Sequence, residues 1–256
     1  LIILGGIGYI VWWDVLRVVK SRSPKNRKIF RHLTLHSKIA LTITAGLVLG
    51  GAILIFIFEY ANPLTIGEMS LFDKIQVSLF QSVTTRTAGF ATIPQENLTN
   101  ASAAASIILM LIGGSPVGTA GGMKTVTIAV LICSAFATIR NKNSATLFGR
   151  RISEESIKKA VSVVVMFLTI CATSTILLMA TSNASPIDAV YEAVSATATV
   201  GLSRNLTATL NTFGKLIIIV TMYFGRVGPI SLAIALGSKN ESQNVISEPT
   251  EDISIG

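Results

Sequence analysis

The sequence predicts an all-α membrane protein built from a repeated unit, and three observations support this. Half of the 256 residues are hydrophobic, only 13% are charged and the mean hydropathy is +0.65, which is too apolar for a soluble domain of this length. Apolar stretches long enough to cross a bilayer alternate with basic stretches. Glycine-containing motifs also recur at Gly5, Gly113 and Gly225, which are 108 and 112 residues apart.

Four apolar stretches are long enough to cross a membrane, and these are 39–58, 102–138, 160–181 and 212–237. The second of them is too long for a single crossing. Five glycines and a proline interrupt it, so we expect a broken helix there. A shorter stretch, 1–13, has no basic region before it and does not resemble a signal peptide. We interpret residues 1–20 as the end of a broken helix that belongs to a preceding unit and whose beginning is missing.

Basic residues mark one side of the predicted membrane protein. Segments 17–38 and 140–159, together with Lys239, hold 15 of the 21 Lys and Arg residues. Alternating topology places all of them on one side, which the positive-inside bias identifies as cytoplasmic, next to anionic lipid. The parts expected in the cytoplasm are the basic linkers 21–38 and 141–159 and the tail 238–256. The net charge of +8 then reflects orientation and is not evidence for nucleic-acid binding.

Two tetrapeptides with threonine, any residue, glycine and a large apolar residue predict an ion pathway. They are Thr87, Ala88, Gly89 and Phe90, and Thr199, Val200, Gly201 and Leu202. An extended backbone of this kind can point carbonyl oxygens at a dehydrated cation, and glycine supplies the freedom that the turn requires. Each tetrapeptide follows a helical stretch, 71–84 or 187–198, that is too short to cross hydrocarbon. Because the same order occurs twice, we expect re-entrant pore segments rather than ordinary extracellular loops.

The interruption of the second apolar stretch predicts a flexible loop within the membrane. Its residues are Gly113, Gly114, Ser115, Pro116, Val117, Gly118, Thr119, Ala120, Gly121 and Gly122. Glycine and proline weaken a helix by about 1 and 3 kcal/mol relative to alanine, so a helix cannot continue here. We expect the loop to line an aqueous path below the filter and to act as a gate. A phosphate-binding loop is the rival interpretation, but it requires glycine where Met123 precedes Lys124.

Arg226 lies within the last apolar stretch, at the position where the other units have Gly6 and Gly114. A charge at this depth usually faces a pathway or a partner. If the units are related by rotation, the interrupted segments are neighbours. Arg226 is then expected to donate to carbonyls of the 113–122 loop and to hold it across the pore. The alternative is an arginine whose guanidinium is satisfied locally by backbone carbonyls.

These features divide the chain into two complete units and the end of another. The first unit is 39–140, with filter residues 87–90 and the loop 113–122, and the second is 160–237, with filter residues 199–202 and Arg226. An ion-coupled secondary transporter with broken helices is an alternative, although it does not require paired re-entrant filters. No catalytic pair and no metal-ligand spacing stand out, so we expect neither an enzyme nor a bound cofactor.

The chain resembles the membrane subunit of the Trk/Ktr/HKT superfamily of potassium transporters, and most of all its KtrB-type bacterial members. The resemblance is carried by segment 85–90, the loop 113–122 with Lys124 and Thr125, segment 198–202 and segment 224–229. It implies four units around a pseudo-fourfold pore, of which this chain has the third, the fourth and the end of the second. It also implies potassium uptake across the bacterial cell membrane through a channel-like pore, often helped by sodium.

The resemblance also bears on the ion and on the partners. Some sodium-transporting relatives have serine at a filter glycine, so Gly89 and Gly201 favour potassium over sodium as the transported ion. Similar proteins form homodimers and bind a cytoplasmic ring of nucleotide-sensing, KtrA/TrkA-like regulatory subunits. The basic cytoplasmic face is the natural docking surface for them. A nucleotide is therefore expected on that partner and not on this chain.

Overall fold

The computed structural model describes residues 1–20, 29–142 and 144–227. These described residues form eleven α-helices, one short 3-10 helix and one small β-hairpin. Three predicted features lie wholly or partly outside the described residues. They are the tail 238–256 with Lys239, the part of the last apolar stretch that follows Val227, and residues 21–28 of the first basic linker.

The helices, in chain order, are α1 (Ile2–Gly6), α2 (Tyr9–Lys20), α3 (Ile29–His32), α4 (Leu35–Glu59), α5 (Leu71–Thr84), α6 (Asn100–Leu111), α7 (Thr125–Ile139), α8 (Glu154–Thr181), α9 (Pro186–Thr197), α10 (Leu206–Thr209) and α11 (Thr212–Val227). The 3-10 helix is Gln95–Asn97. The predicted all-α fold class is therefore confirmed for the described residues, apart from the hairpin.

The hairpin lies in the second basic linker, where no strand was predicted. Its strands β1 (Thr146–Leu147) and β2 (Arg150–Arg151) pair antiparallel. The two residues between them, Phe148 and Gly149, have φ values of 49° and 76°. Positive φ at both central residues is typical of the tight turns whose twist matches paired strands, and the glycine makes such a turn accessible.

Among the described helices, α4 and α8 are long and apolar enough to cross a membrane, judged by length and composition. They have 25 and 28 residues and a mean hydropathy of 2.4 each. Both begin before the apolar stretches that start at residues 39 and 160, so the ends of the predicted basic linkers are helical. The reason is helix capping, because the hydroxyls of Thr34 and Ser153 each accept a hydrogen bond from the backbone N–H three residues later.

The long apolar stretch of the first unit is divided into α6 and α7. The first of these helices ends at Leu111 and the second begins at Thr125. The two helix ends stay together because Ile112 and Met123 form a parallel bridge, closed by backbone hydrogen bonds of 2.9 and 3.1 Å. Residues 113–122 therefore leave the line of the helices as a loop and return to nearly the same point.

The short helices α5 and α9 begin in the same way. Ser70 and Ser185 cap them, and each serine hydroxyl accepts a hydrogen bond from the backbone N–H of the aspartate three residues later. With 14 and 12 residues, neither helix is long enough to cross hydrocarbon. Each one ends just before a Thr-x-Gly tetrapeptide, so the pair holds the two tetrapeptides at equivalent places.

The two units pack side by side. In the first, α4 packs against α5 and α6, and in the second, α8 packs against α9 and α11. Contacts of α6 with α9 and of α7 with α8 join the units. The largest buried side chains at this junction are Met110, Phe167 and Tyr191, each at most 2% exposed. The core that both units share thus lies directly around the second short helix.

The described parts of the two basic linkers lie on the same side of the molecule. The ring of Phe30, which comes shortly before α4, packs edge-to-face against the ring of Phe148 at the hairpin turn, with centroids 6.0 Å apart. The membrane-length helices α4 and α8 therefore start from the same side. This is the side that the positive-inside bias predicts to be cytoplasmic.

Candidate functional site

The two Thr-x-Gly tetrapeptides lie against each other, although their glycines are 112 residues apart in sequence. A Cβ atom placed on Gly89 would lie 2.4 Å from the carbonyl oxygen of Val200 and 3.2 Å from Cα of Gly201. A Cβ atom placed on Gly201 would make an ordinary contact, 3.7 Å from Cα of Gly89. The structure thus brings the two predicted filter segments together. Of the two glycines, only Gly89 lies so close to a neighbouring backbone that a side chain would not fit.

Both tetrapeptides have the same backbone pattern. The φ values are positive at Thr87 (62°) and Gly89 (74°), and again at Thr199 (55°) and Gly201 (95°), but not at the residue between them. Threonine is β-branched and seldom adopts this left-handed conformation, so its surroundings must hold it there. Alternation in the sign of φ turns successive carbonyl groups toward one side, whereas a regular strand points them to alternate sides. The glycine conformation was predicted from the sequence, but the left-handed threonines were not.

The backbone of the first tetrapeptide is tied back to the end of α5. The N–H of Ala88 donates to the carbonyl of Thr84 at 3.1 Å, and the N–H of Phe90 donates to the Thr84 hydroxyl at 2.8 Å. That hydroxyl in turn donates to the carbonyl of Phe90 at 2.7 Å. Although Phe90 was predicted to contribute to the filter, its carbonyl oxygen is therefore already engaged, and its side chain is 64% exposed.

The backbone of the second tetrapeptide is tied to the end of α9. The N–H of Val200 donates to the carbonyl of Ser195 at 2.8 Å, and the N–H of Gly201 donates to the Ser195 hydroxyl at 3.2 Å. The side chains of Val200 and Leu202 are buried in the shared core next to Tyr191. One hydroxyl residue at the end of each short helix, Thr84 or Ser195, thus orders the following segment, and neither residue was singled out from the sequence.

Most carbonyl groups of the two segments have no hydrogen-bond donor among the described residues. In the described part of the chain, no hydrogen bond ends on the carbonyl oxygens of Thr87, Ala88, Gly89, Thr199, Val200 or Gly201. They follow the C-terminal ends of α5 and α9, where the helix dipole is negative. Carbonyl oxygens without donors at such a place are suited to hold a dehydrated cation. Within the same described ranges, no three His, Cys, Asp or Glu side chains are placed to hold a metal ion.

The 113–122 loop packs against the break between α1 and α2. The N–H of Ser115 donates to the carbonyl of Gly6 at 2.8 Å. Gly8, with φ of 85°, lies so close to the loop that a Cβ atom there would be 2.6 Å from the carbonyl oxygen of Pro116. The interrupted segments that were matched by the repeat are thus neighbours in space, as units related by rotation require.

The same loop contacts the N-terminal end of the second tetrapeptide. A Cβ atom on Gly121 would lie 2.0 Å from the hydroxyl oxygen of Thr199 and 2.7 Å from the carbonyl oxygen of Ala198. Two residues of the loop, Val117 and Gly122, have φ values of 61° and 69°. The loop therefore contains two residues in the left-handed conformation and packs closely against the second tetrapeptide. There is no room for a side chain at Gly121.

Arg226 reaches this loop from α11. Its Nη1 donates to the carbonyl of Thr119 at 2.8 Å, so the predicted contact between the arginine and the loop is present. The preceding residue, Gly225, allows the approach, because a Cβ atom there would lie 2.0 Å from the carbonyl oxygen of Thr197 at the end of α9. The observed acceptor is a loop carbonyl and not the backbone of the arginine's own helix.

Two other cationic side chains hold the loop and were not assigned a role from the sequence. Arg86 is 6% exposed, and its Nη2 donates to the carbonyl of Gly113 at 3.0 Å. The Nζ of Lys124 donates to the carbonyl of Ala120. Among the described residues no carboxylate pairs with Arg86. Its sequence signal is an arginine at membrane depth directly before a filter tetrapeptide, a place where charge usually has a function.

The chain is similar to known cation transporters. The sequence profile of the TrkH family, described as cation transport protein, matches residues 1–248. The potassium/sodium uptake protein NtpJ of Enterococcus hirae is 36% identical over 261 residues, which cover all of this chain and 56% of that protein. The Ktr system potassium uptake protein B of Bacillus subtilis is 38% identical over 245 residues, which cover 96% of this chain and 53% of that protein. The chain thus spans about half the length of the curated relatives it matches.

The fold is similar to that of a solved transporter. The crystal structure of the potassium transporter TrkH from Vibrio parahaemolyticus superposes with a TM-score of 0.75, over 92% of this chain and 50% of that one. The sequence identity is 16%, so this likeness concerns the fold alone.

Proposed function

Because the chain belongs to the TrkH family of cation transport proteins, we propose that it supplies two pore segments of a potassium-uptake pathway in the cell membrane. The family and the relatives named above are transporters and not enzymes. The pathway is channel-like, with backbone carbonyls in place of the hydration shell of the ion. Four-sided coordination needs two further segments, which the resemblance assigns to the other half of such transporters.

One observation carries this proposal, namely the meeting of the two Thr-x-Gly tetrapeptides. Their carbonyl oxygens have no donors in the described part of the chain and follow the negative ends of two short helices. A pair of ordinary loops has no reason to share the unusual left-handed threonine and the close backbone approach at Gly89. A cation between them supplies that reason, because it is attracted by the carbonyls that the alternating backbone turns to one side.

Potassium is the ion that the filter favours. Both filter positions carry glycine, and the relatives named above are called potassium or potassium/sodium uptake proteins. Sodium is the second candidate, because the name of the Enterococcus hirae relative includes it. The two candidate ions can be distinguished by measuring how strongly external sodium inhibits potassium uptake.

The 113–122 loop is the proposed gate of this pathway. It lies beside the second filter segment at Gly121, and three cationic side chains donate to its carbonyls, from Arg86, Lys124 and Arg226. A cation at this place repels permeating cations, while the glycine content of the loop allows it to move aside. Arg226 is proposed to stabilise the closed position through its bond to Thr119.

The cytoplasmic side is proposed to bind regulatory subunits, and the complete protein to form a homodimer. The name of the Bacillus subtilis relative describes a Ktr system, which supports the presence of further components. The hairpin and the start of α8 present exposed cationic side chains on this side, including Arg150, Arg151, Lys158 and Lys159. They suit the docking of an acidic protein surface as well as of anionic lipid.

Growth at low external potassium tests the proposal. The protein, expressed at its full natural length, is expected to rescue cells that lack their own potassium-uptake systems. Gly89→Asp and Gly201→Asp are each expected to abolish the rescue, because a side chain and a charge enter the filter. Gly149→Asp is the matched control, since Gly149 also has positive φ but lies in the hairpin with nothing within 4 Å of an added Cβ.

The amount of protein in the membrane is measured for every variant. Rescue that survives both filter substitutions at normal protein levels separates the pathway from these segments and contradicts the proposal. Absence of rescue by the wild type, with rescue of sodium-dependent growth instead, favours the second candidate ion.

A further inference from the structure

A chain of buried hydrogen bonds connects the two units by joining residues of the short helices α5 and α9. The Oη of Tyr191 donates to the Oε1 of Gln95 at 3.1 Å, and the Nε2 of Gln81 donates to the same oxygen at 2.6 Å. The Nε2 of Gln95 donates to the carbonyl of Ile93 at 2.8 Å and to the Oε1 of Gln81 at 3.2 Å. Every side-chain polar atom of these three residues is therefore engaged.

The three side chains of this network are buried and belong to different parts of the filter support. Gln81 and Tyr191 are fully buried and Gln95 is 3% exposed. Gln81 lies on α5, one turn before Thr84, and Gln95 lies in the chain that returns from the first filter segment. Tyr191 lies on α9, in the second unit. The network thus links both short helices and the return segment in one place.

A second bridge reaches the neighbouring residue of the same return segment. The Nη2 of Arg204 donates to the carbonyl of Glu96 at 3.4 Å, and its Nε lies 3.0 Å from Oδ1 of Asp188. Arg204 follows the second filter segment and Asp188 lies in the first turn of α9. The return segment of the first unit is thus held at two successive residues by groups of the second unit.

This arrangement matters for the ion because the two filter segments touch. A filter that discriminates between cations must keep its carbonyls from closing on the smaller ion, or must keep their number and orientation constant. Either requirement needs a fixed distance between neighbouring segments. Satisfied buried networks restrain such distances, since each member has a single favourable partner geometry.

We propose that the Tyr191–Gln95–Gln81 network sets the lateral spacing of the two filter segments and thereby determines the preference for potassium over sodium. The inference rests on the proposed function. It assigns positioning roles to three buried side chains that lie outside the two tetrapeptides. Selectivity, and not only transport, is therefore the quantity that changes when the network is opened.

Tyr191→Phe is the most direct test, because it removes one hydroxyl and little else from the core. Gln95 keeps its bond from Gln81, so no acceptor is left without a donor. We expect the ratio of potassium to sodium uptake to fall by about 2- to 10-fold, the effect of losing one buried hydrogen bond. Tyr223→Phe is the matched control, since this tyrosine on α11 is 65% exposed and its hydroxyl has no bond in the described part of the chain.

A double-mutant cycle separates the bond from other effects of the substitution. Gln95→Leu removes the shared acceptor and is expected to lower the same ratio at least as far. Tyr191→Phe added to Gln95→Leu is then expected to cause no further loss, because the bond is already absent. Full additivity of the two substitutions overturns the inference.

The outcomes distinguish this inference from the proposed function. Wild-type potassium uptake with an unchanged ratio in Tyr191→Phe overturns the inference and leaves the proposed function intact. A lower amount of inserted protein with an unchanged ratio overturns it as well, because it assigns the network to stability alone. Absence of potassium uptake by the wild type contradicts the proposed function itself.

Discussion

Gly89 and Gly201 occupy matching positions in the repeat but have different surroundings. Gly89 faces the carbonyl of Val200, whereas Gly201 has only the Cα of Gly89 within 4 Å of an added Cβ. Both have positive φ, which costs an ordinary L-residue about 1–2 kcal/mol. The difference between the two sites is therefore steric and not conformational.

Serine at the two positions is expected to have unequal effects. Gly89→Ser forces the second filter segment away and is expected to abolish potassium uptake. Gly201→Ser is accommodated at the cost of backbone strain and is expected to retain uptake with a weaker preference for potassium over sodium. Competition between potassium and sodium during uptake measures both effects at matched protein levels. Equal loss at the two sites, or an unchanged preference in Gly201→Ser, argues against this description of the filter.

At the scale of elements, the 113–122 loop is held by side chains from three different parts of the chain. Arg86, which follows α5, donates to the first carbonyl of the loop. Lys124, directly before α7, and Arg226, on α11, donate to two later carbonyls of the loop. These are charge-assisted bonds to backbone carbonyls, which are stronger than bonds between neutral groups. A helix break by itself yields a mobile loop, whereas these three cations and the backbone bond from Ser115 to Gly6 hold the 113–122 loop in place.

Removal of one of these bonds is expected to favour the open loop. Arg226→Ala, and separately deletion of residues 113–118, should raise potassium flux in the absence of regulatory subunits. The loss of one charge-assisted bond of about 1.5–3 kcal/mol changes the ratio of closed to open forms by about 10-fold or more. Flux into vesicles containing purified protein measures the change. Lys215→Ala is the control, because Lys215 is an exposed cation on the same helix far from the loop. Unchanged or lower flux in folded protein contradicts the gating role.

For the whole molecule, the common starting side of α4 and α8 defines two faces. The contact between Phe30 and Phe148 places the described parts of the two basic linkers on one face. The bonds from Tyr191 and Arg204 to Gln95 and Glu96 join the second unit to the first. An orientation in the membrane follows from the charge asymmetry, with the basic face in the cytoplasm.

Cysteine labelling tests this orientation. In a background with Cys133→Ala and Cys171→Ala, Lys142→Cys lies on the basic face and Lys215→Cys at the start of α11 on the other; both lysines are exposed. A membrane-impermeant maleimide added to intact cells is expected to label Lys215→Cys alone. Permeabilised cells, in which both sites should react, are the control. The reverse pattern contradicts the assigned orientation.

The elements and their ends were largely predictable from the sequence, because their causes are local. The start and end of α5 at Leu71 and Thr84 agree with the prediction, and α9 is displaced by a single residue. The glycines and the proline of 113–122 interrupt the helix wherever the chain is placed. The earlier starts of α4 and α8 also have a local cause, which is capping by Thr34 and Ser153. The apolar pattern does not report these starts, because the first turn of each helix is mostly polar.

Tertiary structure decided which of these local features meet. The buried Arg86 and the hydrogen bond between Gln95 and Tyr191 depend on groups that lie 27 and 96 residues away in the chain, and the two tetrapeptides meet although their glycines are 112 residues apart. Sequence patterns report the preference of a residue for a conformation or a depth. They do not report its partner, because a buried polar group is satisfied by whichever donor or acceptor packing brings near. The sequence by itself therefore determined the broken helices and the two Thr-x-Gly tetrapeptides, and packing alone decided how closely the tetrapeptides approach and which groups surround them.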